Sequence, residues 1–150
     1  MQLRPILLVE DDVNDRELTL AALAQHNIAN QVVALRDGAE ALDFLYGRGS
    51  FGNGRTEAPA VVLLDLKMPK VDGLQVLATM KGDPTLQSVP VVMLTSSREE
   101  RDMVESYRLG ANAYVVKPVE FAAFVKAVEH VGCFWALVNE PAPQAGGTTS

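Results

Sequence analysis

The chain of 150 residues contains one cysteine, Cys133, so an internal disulfide and a cysteine-based metal cluster are both excluded. We interpret Cys133 as a small apolar side chain on a helix. No apolar stretch approaches the ~18 residues that a membrane-spanning helix needs. Residues 1–5 lead into a strand too early to form a secretory signal, and we therefore expect the protein in the cytoplasm.

Positive charge is limited and dispersed. The 13 Lys and Arg residues are outnumbered by 19 Asp and Glu residues, the formal net charge is −6, and the basic residues form no run. Because nucleic-acid-binding modules normally present a basic face, this class of function is disfavoured. A length of 150 residues with 48% hydrophobic residues predicts one buried core, and we find no internal repeat and no second domain.

Short apolar runs alternate with helical patterns through five periods. The predicted strands cover residues 6–9, 32–35, 61–64, 91–94 and 113–116. The predicted helices cover residues 14–25, 37–46 with Asp37 as the cap, 74–80, 98–109 and 120–139. Continuous apolar runs are typical of parallel strands buried on both faces. The alternation therefore predicts an α/β fold, a doubly wound parallel sheet of five strands with helices on both faces.

Two segments depart from this pattern. Residues 47–58 contain four glycines and few apolar side chains, which predicts a long surface loop. Residues 141–150 consist mainly of Pro, Ala, Gly, Thr and Ser, a composition typical of disorder. We therefore expect one folded domain over residues 1–140, with an extended C-terminal helix, and a disordered tail over residues 141–150.

Four of the predicted strands stop at polar residues. The acidic triplet 10–12 follows the first strand, Asp65 the third, Thr95 the fourth and Lys117 the fifth. In open α/β sheets, ligands bind beyond the carboxyl ends of the strands, so these side chains are predicted to meet in one crevice. Acids, a hydroxyl and an ammonium group together are typical of a magnesium-assisted phosphoryl-transfer site.

The acidic side chains predict a cation site. Clustered carboxylates repel one another, and Mg²⁺ prefers oxygen ligands, of which one or two are usually carboxylates. We expect Asp11 and Asp65 to bind the ion directly, Glu10 to act through a water molecule, and the main-chain oxygen of Lys67 to supply a further ligand. The alternative is that the acidic triplet is a charge run favoured at a helix N-terminus, a role that suits Asp12.

The other site residues have chemical roles and simpler alternatives. Asp65 can act as a nucleophile and form an acyl phosphate. Lys117 can pair with Asp65 and later with a phosphate oxygen, or it can be a surface lysine that extends towards water. The Thr95 hydroxyl can bond a phosphate oxygen, or cap the following helix, although Ser97 suits the cap better. Pro118 can form a cis bond that aims Lys117 into the crevice, or simply begin a helix.

These residues together resemble the receiver domain of two-component response regulators over residues 6 to about 131. The matching motifs are Glu10-Asp11, Asp65 with Met68-Pro69 and Asp72-Gly73, Thr95-Ser96, and the segment 114–118 that ends in Lys117-Pro118. Asp65 lies 30 residues before Thr95 and 52 before Lys117, which are the spacings of the family.

The resemblance implies a flavodoxin-like (βα)5 sandwich with strand order 2-1-3-4-5. It implies that Asp65 is the phosphoacceptor, that a sensor histidine kinase is the donor, and that Mg²⁺ or Mn²⁺ is the cofactor. Thr95, Ser96 and Lys117 would contact the phosphoryl group, and Thr95 and Tyr114 would form the switch pair. The alternative for Tyr114 is an ordinary half-buried aromatic residue of a strand.

Three segments are similar to the stand-alone regulators of bacterial phytochromes. They are the loop 47–58, the segment 60–66 that contains Asp65, and the ending 133–141. This similarity implies red/far-red light signalling through a phytochrome histidine kinase. Lys67 and Ser97 differ from the commonest residues of the family and would flank the water that hydrolyses the acyl phosphate, so the lifetime of the phosphorylated state is left open.

Apolar residues continue along the last predicted helix beyond the usual end of such a domain. Phe134, Trp135 and Val138 prolong its apolar stripe, and exposed apolar surface of this kind usually marks an interface. We expect a symmetric homodimer that uses these residues together with the fourth helix, the fifth strand and the fifth helix. The alternative is that the chain bends back and Trp135 covers its own domain.

The expected function is a phosphorylation-driven signalling module and not an enzyme that turns over a metabolite. Its own chemistry would be limited to autophosphotransfer and slow autodephosphorylation. A terminal interaction switch and a phosphorelay shuttle both remain open. A magnesium phosphatase of the aspartyl-nucleophile type is disfavoured because Lys67 stands where the second aspartate is needed. A flavin- or nucleotide-binding domain is disfavoured because no glycine-rich loop follows the first strand.

Overall fold

The computed structural model describes residues 4–25, 28, 30–52, 58–66, 68, 71–96 and 105–130. Its strands are β1 (Ile6–Val9), β2 (Val32–Leu35), β3 (Val61–Asp65), β4 (Val91–Thr95) and β5 (Ala113–Val116). Its helices are α1 (Val13–Ala24), α2 (Gly38–Tyr46), α3 (Gly73–Lys81), α4 (helical residues 105–108) and α5 (Phe121–His130), with a 3-10 turn at Gly49–Phe51.

The strands form one parallel sheet in the order β2-β1-β3-β4-β5, which confirms the predicted fold class. Every residue of β1, β3 and β4 is buried, as continuous apolar strands require when both faces are covered. Alternate strand residues enter two cores. Leu7 and Val62 pack on the side of α2 and α3, whereas Ile6 and Leu63 pack on the side of α1 and α5.

The predicted strands agree with the structure to within one residue. β3 and β4 each extend one residue further than the apolar run, so that Asp65 and Thr95 are themselves strand residues. The ladder continues past both, because the Leu66 amide donates to the Leu94 carbonyl (2.9 Å) and the Lys117 amide donates to the Thr95 carbonyl (2.8 Å). The backbone that carries both side chains is thus held by the sheet.

Acidic residues begin three of the helices. The side chains of Asp12, Asp37 and Asp72 accept hydrogen bonds from the main-chain amides three residues later, at 2.8–2.9 Å. Asp72 forms a full capping box with Gln75. These bonds satisfy amides that have no partner inside the helix, which confirms Asp37 as a cap and assigns the same role to Asp12.

The start of α3 lies against the end of β3. A Cβ atom on Gly73 would lie 2.2 Å from the Asp65 carbonyl oxygen and 2.9 Å from the Leu66 Cα atom. A side chain at this position would push α3 away from the strand that carries Asp65. Glycine is therefore required here for the close approach of two backbones.

The described residues of the segment 47–58 form a surface loop, as predicted, with Arg48, Gly49 and Gly52 exposed. The loop contains the 3-10 turn, and Phe51 packs against the core with its ring centroid 5.2 Å from that of Phe44. The prediction did not include this contact, in which one aromatic side chain holds a glycine-rich segment on the domain. Residues 53–57 lie outside the described residues.

Several predictions concern parts of the chain that the structure does not describe. They are Cys133, the tail 141–150, the first residues of the fourth predicted helix at 98–104, and the last residues of the fifth at 131–139. Among the helices that are described, none has the length and apolar character needed to cross a membrane.

Candidate functional site

The polar residues at the strand ends do meet at one edge of the sheet. Asp65 is the last residue of β3, and its side chain is 7% exposed. Glu10 follows β1 and is fully buried, and Thr95 ends β4 and is also buried. Lys117 follows β5 and has a side chain only 9% exposed, which contradicts the alternative of a solvated surface lysine. The sheet order thus places β1, β3 and β4 side by side, with β5 next to β4.

The acidic residues form a compact cluster. One carboxylate oxygen each from Glu10, Asp11 and Asp65 lies within 4.8 Å of the others. Asp11 is exposed, whereas Glu10 and Asp65 are buried, so the cluster lies at the boundary between the sheet and solvent. Such an arrangement of hard oxygen ligands with an open side fits a small divalent cation that retains water molecules.

The Lys117 ammonium group contacts three carboxylates, two of which belong to the acidic cluster. Its Nζ atom donates to Asp15 Oδ2 (2.8 Å) and to Glu10 Oε1 (2.9 Å), and lies 3.4 Å from Asp65 Oδ1. The predicted contact with Asp65 is therefore present but is the longest of the three. The Lys117–Pro118 peptide bond is cis, which is the first of the two alternatives for Pro118.

The surroundings change the ionisation of both charged partners. The pKa of Asp65 is raised to about 8, first by burial and then by the adjacent Glu10, and the Lys117 ammonium opposes this rise only in part. For Lys117, burial alone would lower the pKa, but hydrogen bonds to Asp15 and Glu10 and the charge of Asp65 raise it. Lys117 is thus a permanent cation, and the ionised form of Asp65 needs a further positive charge.

Glu10 has both of its oxygens engaged by the protein. Oε1 accepts from Lys117, and Oε2 accepts from the Asp12 amide at 3.1 Å. These bonds suit a carboxylate that acts on a cation through water rather than by direct ligation. Asp12 itself caps α1 and is exposed, so the helix-terminus interpretation was right for this one member of the triplet.

The remaining predicted site residues lie on β4 and β5. Ser96 follows Thr95 and is exposed at the same edge. Tyr114 is half-buried on β5 opposite Met93 and packs against the core on the α3 side. Its position is compatible both with a switch residue and with an ordinary strand aromatic. Lys67, Ser97, Phe134, Trp135 and Val138 lie outside the described residues, so their roles stay predictions.

Two residues of α1 were missed from the sequence. Asp15 binds Lys117, and Arg16 Nη1 donates to the Glu10 carbonyl oxygen at 2.8 Å. The available signal was their place in the first turn of a helix that begins directly after the acidic triplet. That placement allows side chains of α1 to turn back over the strand ends, although spacing alone does not say which ones do.

Residues 6–129 match the family described as response regulator receiver domain, and the chain belongs to that family. The family consists of signalling switches that are not normally classed as enzymes. The sheet order and the cluster of Glu10, Asp11 and Asp65 agree with the fold and the acidic site that the resemblance implied.

Within the family, the chain is similar to regulators associated with phytochromes. It is 40% identical to Response regulator Rcp1 of Synechocystis sp. over 130 residues, and this alignment covers 87% of each of the two chains. It is 63% identical to the solved bacteriophytochrome response regulator AtBRR, with a TM-score of 0.86 over 93% of this chain and 100% of that one. The Mn²⁺-bound form of Rcp1 is 39% identical with a TM-score of 0.73, covering 93% and 99% of the two chains. The chain is thus a receiver response regulator related to the phytochrome response regulators.

Proposed function

We propose that this protein accepts a phosphoryl group on Asp65 from the phosphohistidine of a sensor kinase and signals through the resulting change of its surface. The observation that carries the proposal is the convergence at Asp65. Oxygens of Glu10 and Asp11 lie within 4.8 Å of its carboxylate, and the Lys117 ammonium lies 3.4 Å away. A buried carboxylate held between acids and an ammonium group is a positioned nucleophile that lacks only compensating charge.

The transfer requires little covalent help from the protein. An ionised Asp65 oxygen attacks the phosphorus atom, the new P–O bond forms as the P–N bond breaks, and the imidazole nitrogen keeps the electron pair. Lys117 and the hydroxyls of Thr95 and Ser96 are the donors available for the oxygens of the transferred group. Later attack by water on the same phosphorus atom returns Asp65 and releases inorganic phosphate.

The acidic cluster fits a divalent cation because its three carboxylates carry more negative charge than Lys117 balances. The pKa of Asp65, raised first by burial and then by Glu10, shows that its ionised form lacks compensating charge. Asp11 and Asp65 would hold Mg²⁺ or Mn²⁺ directly, Glu10 would act through water, and the main-chain oxygen of Lys67 remains the predicted further ligand. When bound, the cation neutralises charge on the phosphoryl oxygens. The Mn²⁺-bound structure of Rcp1 supports this choice.

The switch is proposed to involve Thr95 and Tyr114. Phosphorylation adds between about −1.5 and −2 charge and three acceptor oxygens, which attract the Thr95 hydroxyl at the end of β4. A shift of Thr95 vacates space next to β5, where Tyr114 is half-buried. The change at Asp65 would thereby reach the outer face formed by α4, β5 and α5.

The proposed donor is a bacteriophytochrome histidine kinase, and the proposed compartment is the cytoplasm, where the kinase meets ATP. The support is the similarity of this chain to AtBRR, to Rcp1 and to the phosphorylated cyanobacterial phytochrome response regulator RcpA, which is 40% identical with a TM-score of 0.73. Red or far-red light would then set the fraction of the regulator that carries phosphate.

We also propose a homodimer. A surface groove of about 430 Å³ lies between α4, β5 and α5, and its lining includes Tyr107, Tyr114, Val116, Ala123, Lys126 and Ala127. Tyr107 is 48% exposed at its margin. Phe134, Trp135 and Val138 are the proposed further contacts of the dimer. The proposed domain spans residues 1–140 and precedes a disordered tail at 141–150.

Transfer from a kinase tests the function. The purified chain is incubated with radiolabelled, autophosphorylated phytochrome kinases and Mg²⁺, and label on the chain is followed with time. We expect transfer to the wild type and none to Asp65→Asn, which keeps the shape of the side chain. Equal labelling of both proteins would contradict the proposal. Onward transfer to a second histidine protein would identify a phosphorelay shuttle, whereas its absence would favour a terminal switch.

A further inference from the structure

The strongest feature that the proposed function does not use is the ion pair between Asp15 and Lys117. Its distance, 2.8 Å between Oδ2 and Nζ, is the shortest of the three carboxylate contacts of this ammonium group. Asp15 is the third residue of α1, and its amide is bonded to the cap Asp12. Its backbone is therefore fixed in the first turn of the helix. From this position the Asp15 carboxylate contacts Lys117.

We propose that Asp15 is a positioning residue that competes with the phosphoryl group for the Lys117 ammonium. The inference rests on the proposed phosphorylation of Asp65. In the unphosphorylated protein Asp15 holds Nζ close to itself and 3.4 Å from Asp65. Phosphorylation then has to draw Nζ away from Asp15, so that Asp15 opposes the phosphorylated state.

The contact distances show what a phosphoryl group would compete with. An ammonium group has three N–H donors, and Lys117 uses two of them for Asp15 and Glu10, whereas Asp65 lies 3.4 Å away. A phosphoryl oxygen on Asp65 that bonds to Nζ draws the ammonium towards Asp65 and lengthens one of the two shorter contacts. The contact that is lost is the one whose carboxylate is least destabilised by losing its cation.

Burial identifies Asp15 as that group. The Glu10 side chain is fully buried, and a buried charge that loses its partner is strongly destabilising. The Asp15 side chain is 37% exposed and can exchange Lys117 for water. The attached phosphoryl group keeps Lys117 next to Asp65 in any case. Lys117 therefore retains Glu10, gains the phosphoryl oxygen and releases Asp15.

Beryllofluoride binding tests the inference, because this ion adds to a carboxylate as a non-covalent analogue of a phosphoryl group. Its Kd is measured by calorimetry with saturating Mg²⁺ for the wild type and for Asp15→Asn. We expect a Kd roughly two- to five-fold lower for the variant, because an ion pair whose carboxylate is partly exposed to solvent is removed from the competing state. An unchanged or higher Kd would overturn the inference.

Two further variants separate position from charge. Glu17→Gln removes the same charge from an exposed residue of the same helix, and we expect a Kd within about 1.5-fold of the wild type, below the range for loss of the ion pair. Asp15→Glu keeps a carboxylate within reach of Lys117 and should restore the wild-type Kd. A gain with Glu17→Gln or Asp15→Glu equal to that of Asp15→Asn would show that contact with Lys117 is not the cause.

The Lys117 ammonium gives a readout that a merely structural role would not move. Its ¹H–¹⁵N resonance should be protected from exchange in the free wild type, exchange faster in Asp15→Asn, and become the same in both proteins once beryllofluoride is bound. A persistent difference in the bound state would overturn the inference. Failure of beryllofluoride to bind the wild type at all would instead contradict the proposed function.

Discussion

At the residue scale, the site depends on the cost of placing an ionised Asp65 beside Glu10. Burial is the largest cause of the raised pKa of Asp65, near 8, and the Lys117 ammonium offsets it only in part. One reason is that Lys117 is shared with Asp15 and Glu10, both of which are closer to Nζ than Asp65 is. The metal-free protein therefore carries a penalty that a bound cation would remove.

This penalty predicts a pH dependence of stability without metal. Because the folded pKa of Asp65 is raised from its usual value near 3.8, the stability it contributes is complete below that value and is lost as the pH rises towards 8. In EDTA at pH 8, we expect Asp65→Asn to unfold with a free energy roughly 1–3 kcal/mol higher than the wild type, and at pH 4 with no such gain. Urea denaturation at both pH values measures the difference. An equal gain at pH 4 and pH 8 would contradict the assigned ionisation.

Cation binding gives the second prediction for single residues. Asp11→Asn removes a proposed direct ligand, and we expect Mg²⁺ affinity to fall by roughly tenfold or more. Asp12→Asn is the matched control, because Asp12 is a neighbouring exposed carboxylate that caps α1, and asparagine caps equally well. Titration calorimetry measures both. A loss with Asp12→Asn as large as with Asp11→Asn would show that net charge, and not ligation, governs binding.

At the element scale, the packing of α3 against the end of β3 fixes the position of the Asp65 main chain. Gly73→Ala would place a Cβ atom 2.2 Å from the Asp65 carbonyl oxygen, so the helix or the strand end must move. We expect a loss of roughly 1–3 kcal/mol in the free energy of unfolding, measured in urea, together with slower phosphorylation. Gly82→Ala is the control, because its Cβ would meet the Ala78 carbonyl oxygen at 3.2 Å. Equal losses would contradict the role of the close approach.

The elements were predictable where one local cause dominates. Burial on both faces turns β1, β3 and β4 into continuous apolar runs, and the acids at 37 and 72 mark helix starts through bonds to their own first turns. The meeting of polar residues at the strand ends followed from the parallel sheet, but contacts that depend on how a helix or a loop packs onto that sheet could not be predicted. Phe51 on the core and Asp15 on Lys117 both require the position of a second element, which spacing along the chain does not contain.

At the scale of the whole molecule, the proposed dimer makes the C-terminal segment testable. A chain truncated after His130 lacks Phe134, Trp135 and Val138 but keeps all described elements. We expect it to dimerise at least tenfold more weakly in sedimentation equilibrium, because loss of a large aromatic anchor from an interface costs on the order of 2 kcal/mol. A truncated chain that dimerises as tightly as the full chain would show that the extension is not the contact.

The central claim is that one carboxylate, Asp65, accepts the phosphoryl group between a cation and Lys117. A crystal structure with Mg²⁺ and beryllofluoride tests it most directly. We expect beryllium bound to an Asp65 oxygen, the cation in contact with Asp11 and Asp65, and Lys117 Nζ bonded to fluoride. Beryllofluoride on another residue, or carboxylates of Asp11 and Asp65 too far apart to share an ion, would contradict the account.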